Sequence, residues 1–163
     1  KILYLCFPFR GQPITHRMYF SEEDGRSVSK MHKIIDGHGI TAIIVKSGEN
    51  VFGGFASSRW NSEGKNFGNS SSSFIFQLNK DAFIPNRGQT EDPICLFATE
   101  DTITFGKYDL ALIGTLDKCT STIENSYGVG FPYGSRKAQT FLAGAPEFRA
   151  DLVEVWGFFS NTE

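Results

Sequence analysis

Apolar residues come along this chain in short runs, divided by clusters of Gly, Asn, Asp, Ser and Pro. That pattern predicts a mainly β domain. Strands are expected over residues 17–21, 40–47, 51–57, 73–78, 94–99, 102–105, 110–115 and 148–158. Residues 22–25 read as a turn. The best helical segment is 27–36, where Val28, Met31 and Ile35 fall on one face. Ser27 suits its N-cap, and Gly37 suits the left-handed residue that ends it. Two hairpins stand out, one turning at Gly48-Glu49-Asn50 and one at Glu100-Asp101. Gly53-Gly54 lies inside a strand pattern, which signals a bulge or the close approach of another backbone. In residues 73–78, Phe74, Phe76 and Leu78 share a face. Three stretches read as loops: the polar 61–72, then 79–93, and the long glycine-bearing 117–135, whose length suggests a functional or Ω-type loop.

The closing run 148–158 carries Phe148, Ala150, Leu152, Glu154, Trp156 and Phe158 on one parity and Val153 and Val155 on the other. Both faces are apolar toward its end, so it is expected to be a central strand covered on both sides. Glu154 then needs a partner, because an unpaired buried carboxylate is costly. The sum is about eight strands and one good helix. It predicts an α+β, mainly β fold of two antiparallel sheets packed as a β-sandwich with a few flanking helices. The expected division is a single domain over residues 17–160, preceded by an N-terminal extension, 1–16, whose apolar, proline-punctuated sequence suits contact with a partner.

Composition sharpens this. The 163 residues include 16 Phe, each worth about 1.5–3 kcal/mol when fully buried, so one substantial core is needed. Sixteen Lys and Arg against 18 Asp and Glu give a net charge of −2. Without a basic run, nucleic-acid binding is not expected. The apolar opening 1–9 is too short to span a bilayer. Cys6, Cys95 and Cys119 form no CxxC pair. Either a reduced chain or one disulfide with a spare thiol is compatible with them, the reduced cytosolic chain being the simpler reading. The Asn69-Ser70-Ser71 sequon is of a kind that arises by chance in such loops.

Catalytic motifs are absent from the sequence. No GxxxxGK[ST], GxSxG, HExxH or EF-hand loop occurs, and Tyr133 stands where a GxGxxG begun at Gly128 would need its third glycine. His32, Asp36 and His38 are the one cluster with metal-ligand character. A solvated helix end explains them as well, and no metal or cofactor is expected. A Cys–His nucleophile needs an electropositive, accessible thiol. Cys95 in an apolar strand does not suit this, and Cys119 in a loop suits it better. Among the carboxylates, Glu154 is the one singled out, as a group holding backbone N–H or an arginine. Trp60, following Arg59, is read either as a contact residue beside the polar loop or as a plug at one end of the sandwich.

Several stretches resemble the TLDc domain family. They are Tyr19-Phe-Ser-Glu-Glu-Asp-Gly-Arg-Ser-Val-Ser-Lys-Met-His32, Gly39-Ile-Thr-Ala-Ile-Ile-Val-Lys46, Val51-Phe-Gly-Gly-Phe-Ala-Ser-Ser-Arg-Trp60, Ser73-Phe-Ile-Phe-Gln-Leu78 and Leu152-Val-Glu-Val-Trp-Gly-Phe158. The fingerprint positions are Gly53, Gly54, Trp60, Phe74, Phe76, Gly144, Glu154, Trp156, Gly157 and Phe158. Ser72 stands where many members carry a glutamate, and the "TFnNppL" segment is missing, which marks a divergent branch. The resemblance implies a β-sandwich flanked by helices. It also implies a link to oxidative-stress resistance and direct binding to the vacuolar proton pump, the V-ATPase, with no shared reaction.

The expected function is therefore a non-enzymatic, cytoplasmic interaction module, placed by the resemblance at the cytosolic face of endolysosomal membranes. Its contact surfaces are expected to be the loops 61–72 and 117–135, with Trp60 beside the first and Tyr127, Phe131 and Tyr133 on the second. Two alternatives stand beside it. One is a structural subunit of a cytoskeletal or ciliary scaffold, and the other is an enzyme or redox-active domain built on Glu154 or Cys119.

Overall fold

The computed structural model describes residues 14–68, 72–87 and 94–159, with the backbone alone for Ile14, Thr15 and Phe159. The expectations placed on residues 1–13 (Cys6 included), the Asn69-Ser70-Ser71 sequon and residues 88–93 lie outside these.

The described residues form two six-stranded antiparallel sheets. The first contains β1 (Ile14–Phe20), β2 (Thr41–Ser47), β3 (Asn50–Ala56), β5 (Phe74–Gln77), β6 (Ala82–Pro85) and β12 (Leu152–Phe159), in the order β1-β12-β2-β3-β5-β6. The second contains β4 (Asn66–Phe67), β7 (Leu96–Thr99), β8 (Thr102–Phe105), β9 (Leu110–Ile113), β10 (Cys119–Thr120) and β11 (Glu147–Phe148), in the order β11-β10-β9-β8-β7-β4. Three helices accompany them: α1 (Ser21–Asp24), α2 (Val28–Ile35) and α3 (Arg136–Thr140). The expected β-sandwich is thus the fold.

Alternation along each strand decides what is buried. Ile43 and Val45 of β2, Phe52 of β3, Ile75 of β5 and Val153 and Val155 of β12 point inward from the first sheet. Leu96, Ala98, Ile103, Phe105, Leu110 and Leu112 meet them from the second. α2 closes one side with Val28, Met31 and Ile35, the face read from the sequence. Ser27 caps it, its Oγ accepting from the Lys30 amide at 3.3 Å, and Gly37 follows at φ +77°. Opposite parity puts Ala42, Phe55, Phe74 and Phe76 in a second apolar cluster on the far face of the first sheet, with Ile44, Leu78 and Phe158 against it.

The glycine pair in β3 has two separate reasons. At Gly53 a Cβ would run into the Ile43 carbonyl of the neighbouring strand, the backbone approach anticipated for this pair. At Gly54 it would enter the Phe105 ring of the opposite sheet. Gly54 therefore sets how closely the two layers stack.

Several expectations are corrected. The segment 79–93 is not all loop, since residues 82–85 form β6. There the strand is short, and Pro85, which cannot donate, is tolerated because β6 is an edge. The polar loop after Trp60 contributes β4, the long loop after Asp117 contributes β10, and residues 136–140 form α3. The turn at residues 22–25 tightens into α1, which closes at Gly25 (φ +100°). The run 148–158 is two strands in different sheets. Phe148 pairs with Cys119 in the second, the chain crosses at Arg149-Ala150-Asp151, and β12 joins the first. The crossing is fastened by the Ala150 amide on Leu116 O (2.9 Å) and the Asp151 amide on Lys46 O (2.8 Å), while the Asp151 carboxylate accepts from the Gly48 amide in the β2–β3 turn (2.8 Å). β12 is an inner strand, as expected, paired on both sides. Its second face is only half covered: Leu152, Glu154, Trp156 and Phe158 are half-buried.

Candidate functional site

The long loop after β10 is organised by two carboxylates. Asp109 lies in the turn between β8 and β9 and is fully buried. Its Oδ2 accepts from the amides of Asn125 (3.1 Å) and Tyr127 (3.0 Å), and the Ser126 amide is shared between Oδ1 (3.0 Å) and Oδ2 (3.1 Å). Gly106, at φ +69°, makes room, because a Cβ there would collide with Asp109 Oδ1. Burial pushes the Asp109 carboxyl up to about 7, with the amide donors of Tyr127, Ser126 and Asn125 pulling the other way.

Glu124 repeats the device one turn later. It sits at φ +80°, an uncommon conformation for a side-chain-bearing residue. The Glu124 amide closes the turn on Tyr127 O at 2.6 Å. Its Oε1 accepts from three successive amides: Val129 (2.7 Å), Gly130 (2.8 Å) and Phe131 (3.0 Å). Successive N–H groups curled about one oxygen form an anion nest, here filled by the chain's own carboxylate. Gly128 is bare where a Cβ would strike Glu124.

Tyr127 anchors this loop in the core. It is fully buried, and its hydroxyl donates to Cys95 O at 2.7 Å. Burial, with Cys95 beside it, holds that hydroxyl well above the ordinary tyrosine range. The Gly128 amide donates to Pro85 O (3.1 Å) and the Arg87 amide to Ser126 O (2.9 Å), which ties the loop to β6. Beyond this anchor, Phe131 is half-buried against Phe141, with ring centroids 5.5 Å apart, and Tyr133 stands 72% exposed. Lys80 donates to Phe141 O at 2.7 Å and lies 4.2 Å over that ring, and Lys137 lies 5.9 Å from the Phe131 centroid.

The structure thus separates the four expected contact residues. Tyr133 and Phe131 share one surface. Tyr127 is a correction: it is the loop's buried foot, because its hydroxyl finds a partner inside. Trp60 is a second. It is 1% exposed, edge-on to Phe67 and Phe105 at 5.5 Å each, and its Nε1 donates to Thr41 Oγ1 at 3.0 Å. It plugs the sandwich rather than meeting a partner.

Glu154 is not a buried lone carboxylate either. Its side chain is 31% exposed, Arg17 reaches Oε1 at 3.5 Å, and Trp156 Nε1 donates to Oε2 at 2.8 Å. Phe74, Phe76 and Phe158 belong to the outer cluster, Gly157 leaves room for Met18 Sδ, and Gly144 (φ +81°) turns the chain after α3. The fingerprint positions therefore serve the fold.

His32 and Asp36 do meet, Nδ1 to Oδ1 at 2.7 Å, but His32 Nε2 faces Thr102 O at 3.0 Å and Ser62 Oγ donates to Asp36 Oδ2 at 2.6 Å. Both ring nitrogens face acceptors within the chain, and His38 is exposed. Among the described residues no three His, Cys, Asp or Glu side chains converge as a metal cage. Cys95 and Cys119 are free and buried, and burial pushes the Cys119 thiol up. Cys119, expected in a loop as the more accessible thiol, instead pairs with Phe148 in β10 and is fully buried. Asp109 and Glu124 carried no distinguishing signal alone. The glycines at 106, 128 and 130 were the visible trace of their nests.

No helix among the described residues is long and apolar enough to cross a membrane. A family model of the TLDc domain matches residues 1–159. No curated protein matches the chain.

Proposed function

The chain belongs to the TLDc domain family, and from that premise we propose that it is a non-enzymatic docking module that binds and regulates the V-ATPase at the cytosolic face of endolysosomal membranes. A role in resistance to oxidative damage follows from the same family resemblance. The observation that carries the docking reading is the loop architecture. Asp109 and Glu124 accept six backbone N–H bonds between them from loop residues, and the loop they fix carries Tyr133 outward at 72% exposure. A large ring presented on a rigid support loses little entropy on contact, which favours an interface anchor. The two carboxylates are occupied in holding that support. Neither is poised over an open cleft as a general acid or base would be.

The test is affinity capture from lysate with the full chain, read by mass spectrometry for pump subunits. Wild type enriches them, and Tyr133→Ala or Phe131→Ala cuts the enrichment severalfold while leaving the melting temperature nearly unchanged for Tyr133→Ala. Capture that never enriches pump subunits removes the V-ATPase assignment. Capture unaffected by both substitutions removes this surface as the site of contact.

A further inference from the structure

Arg17, Arg26 and Arg149 each have carboxylate partners: Glu23 and Glu154, Asp117, and Asp117 with Asp151. Lys80, Arg87, Arg136 and Lys137 are exposed and, like Arg59 and the other described lysines, make no ion pair among the described residues; what sets them apart is that they lie close together. Two of them lie at one pair of rings, Arg87 reaches the loop beside it, and Arg136 precedes Lys137 in α3. Lys80 sits over Phe141, Phe141 packs on Phe131, Lys137 lies beside Phe131, and Arg87 Nη1 approaches Gly130 to within 3.9 Å of where a Cβ would stand. No Asp or Glu occurs between Glu124 and Glu147. Glu124 itself is buried with its Oε1 saturated. Asp81, the one acidic residue between Phe74 and Pro85, pairs with none of the four. Among the described residues, then, this face of a chain of net charge −2 carries cations without carboxylate partners.

We infer that this surface, Lys80, Arg87, Arg136 and Lys137 around Phe131 and Phe141 with Tyr133 at its rim, is a docking site for a carboxylate-rich segment of a protein partner. The inference deepens the docking reading above and rests on it. Charge complementarity supplies the attraction and the orientation. The alternatives fit less well. An anionic membrane or a polyphosphate is engaged by an extended basic run or stripe, and the longest basic run here is Arg136-Lys137. A face of Phe141 that a stacked base would need is already taken by the Lys80 ammonium group.

The experiment is fluorescence anisotropy with the full chain and a labelled Glu-rich peptide, against the same peptide with Gln in place of Glu. Vesicles of phosphatidylserine and phosphatidylcholine run in parallel. The Glu-rich peptide binds about tenfold more tightly than its Gln counterpart, and that preference shrinks with added salt. Arg136→Glu with Lys137→Glu, two side chains that hold no hydrogen bond in the fold, abolishes the preference. Lys65→Glu, an exposed cation elsewhere, leaves it intact. Lys80→Gln weakens it, with circular dichroism checking that the chain stays folded. Equal affinity for both peptides, equal loss in Lys65→Glu, or patch-dependent binding to the vesicles in place of the peptide overturns the inference. Capture of V-ATPase subunits by the same variants separates the two readings. Undiminished capture by Arg136→Glu/Lys137→Glu sinks this inference and leaves the proposed function standing. Patch-dependent peptide binding without any pump capture does the reverse.

Discussion

Gly54 and Phe105 touch across the sandwich, with no space between the glycine Cα and the ring for even one methyl group. Phe105 is in turn edge-on to Trp60 at 5.5 Å and to Tyr127 at 6.4 Å. This contact between the two sheets is thus also where the plug of one end and the foot of the long loop converge. Gly54→Ala should cost about 1–3 kcal/mol as an overpacked core position, read as a lower urea midpoint. Phe105→Leu in the same background should recover part of that loss. A Gly54→Ala chain as stable as wild type would show that the layers separate freely.

Asp109 makes stability depend on pH in an unusual direction. Burial raises its carboxyl from 3.8 to about 7 in the folded chain, so the fold favours the protonated form. That stability is fully present below the unfolded value and is lost as pH rises through about 7. Urea unfolding across this window should show the decline, and Asp109→Asn should flatten it. The same substitution should lower stability by about 1–3 kcal/mol where amide donors lose their acceptor.

Glu124→Ala should loosen a segment rather than unfold the domain. The amides of Val129, Gly130 and Phe131 lose their shared acceptor. Hydrogen exchange at these three should quicken by about tenfold or more, while the strand amides of β2 and β3 keep their protection. Unchanged exchange at all three would show that other contacts hold the loop.

Cys95 and Cys119 should resist iodoacetamide at neutral pH in the native chain and react once urea unfolds it. Both are buried, and the Cys119 thiol is pushed up by its surroundings. Peptide mapping by mass spectrometry distinguishes them from Cys6. Rapid native labelling of Cys119 would reopen the thiol chemistry that its burial argues against.

What could be read from the sequence was local. α2 was legible because its apolar spacing, its Ser27 cap and Gly37 agree. The β2–β3 and β7–β8 hairpins were legible because strand partners lie a turn apart. Gly53-Gly54 announced a close approach, though not that one glycine serves the neighbouring strand and the other the opposite sheet. What escaped was set by distant contacts. The apolar run through Phe148 and Val153 hides a change of sheet, because both halves are buried by different layers. Trp60 and Tyr127 sit in polar stretches that look exposed until Thr41 and Cys95 are brought to their polar atoms. Asp109 draws its donors from 16 to 18 residues away, a relation no local pattern encodes. Of the candidate surface, Phe131 and Tyr133 are named by the sequence as contact residues. The surrounding cations are not, because Lys80 and Arg87 join Arg136 and Lys137 only through tertiary folding.

The placement of β12 between β1 and β2 bears on how a ribosome can deliver this domain. Two early strands must wait, each with an open flank, for a late one to slot between them. Until residues 152–159 have left the exit tunnel, the nascent chain offers two sticky borders to its neighbours. Premature termination upstream of Leu152 should therefore yield aggregates in place of a smaller soluble product.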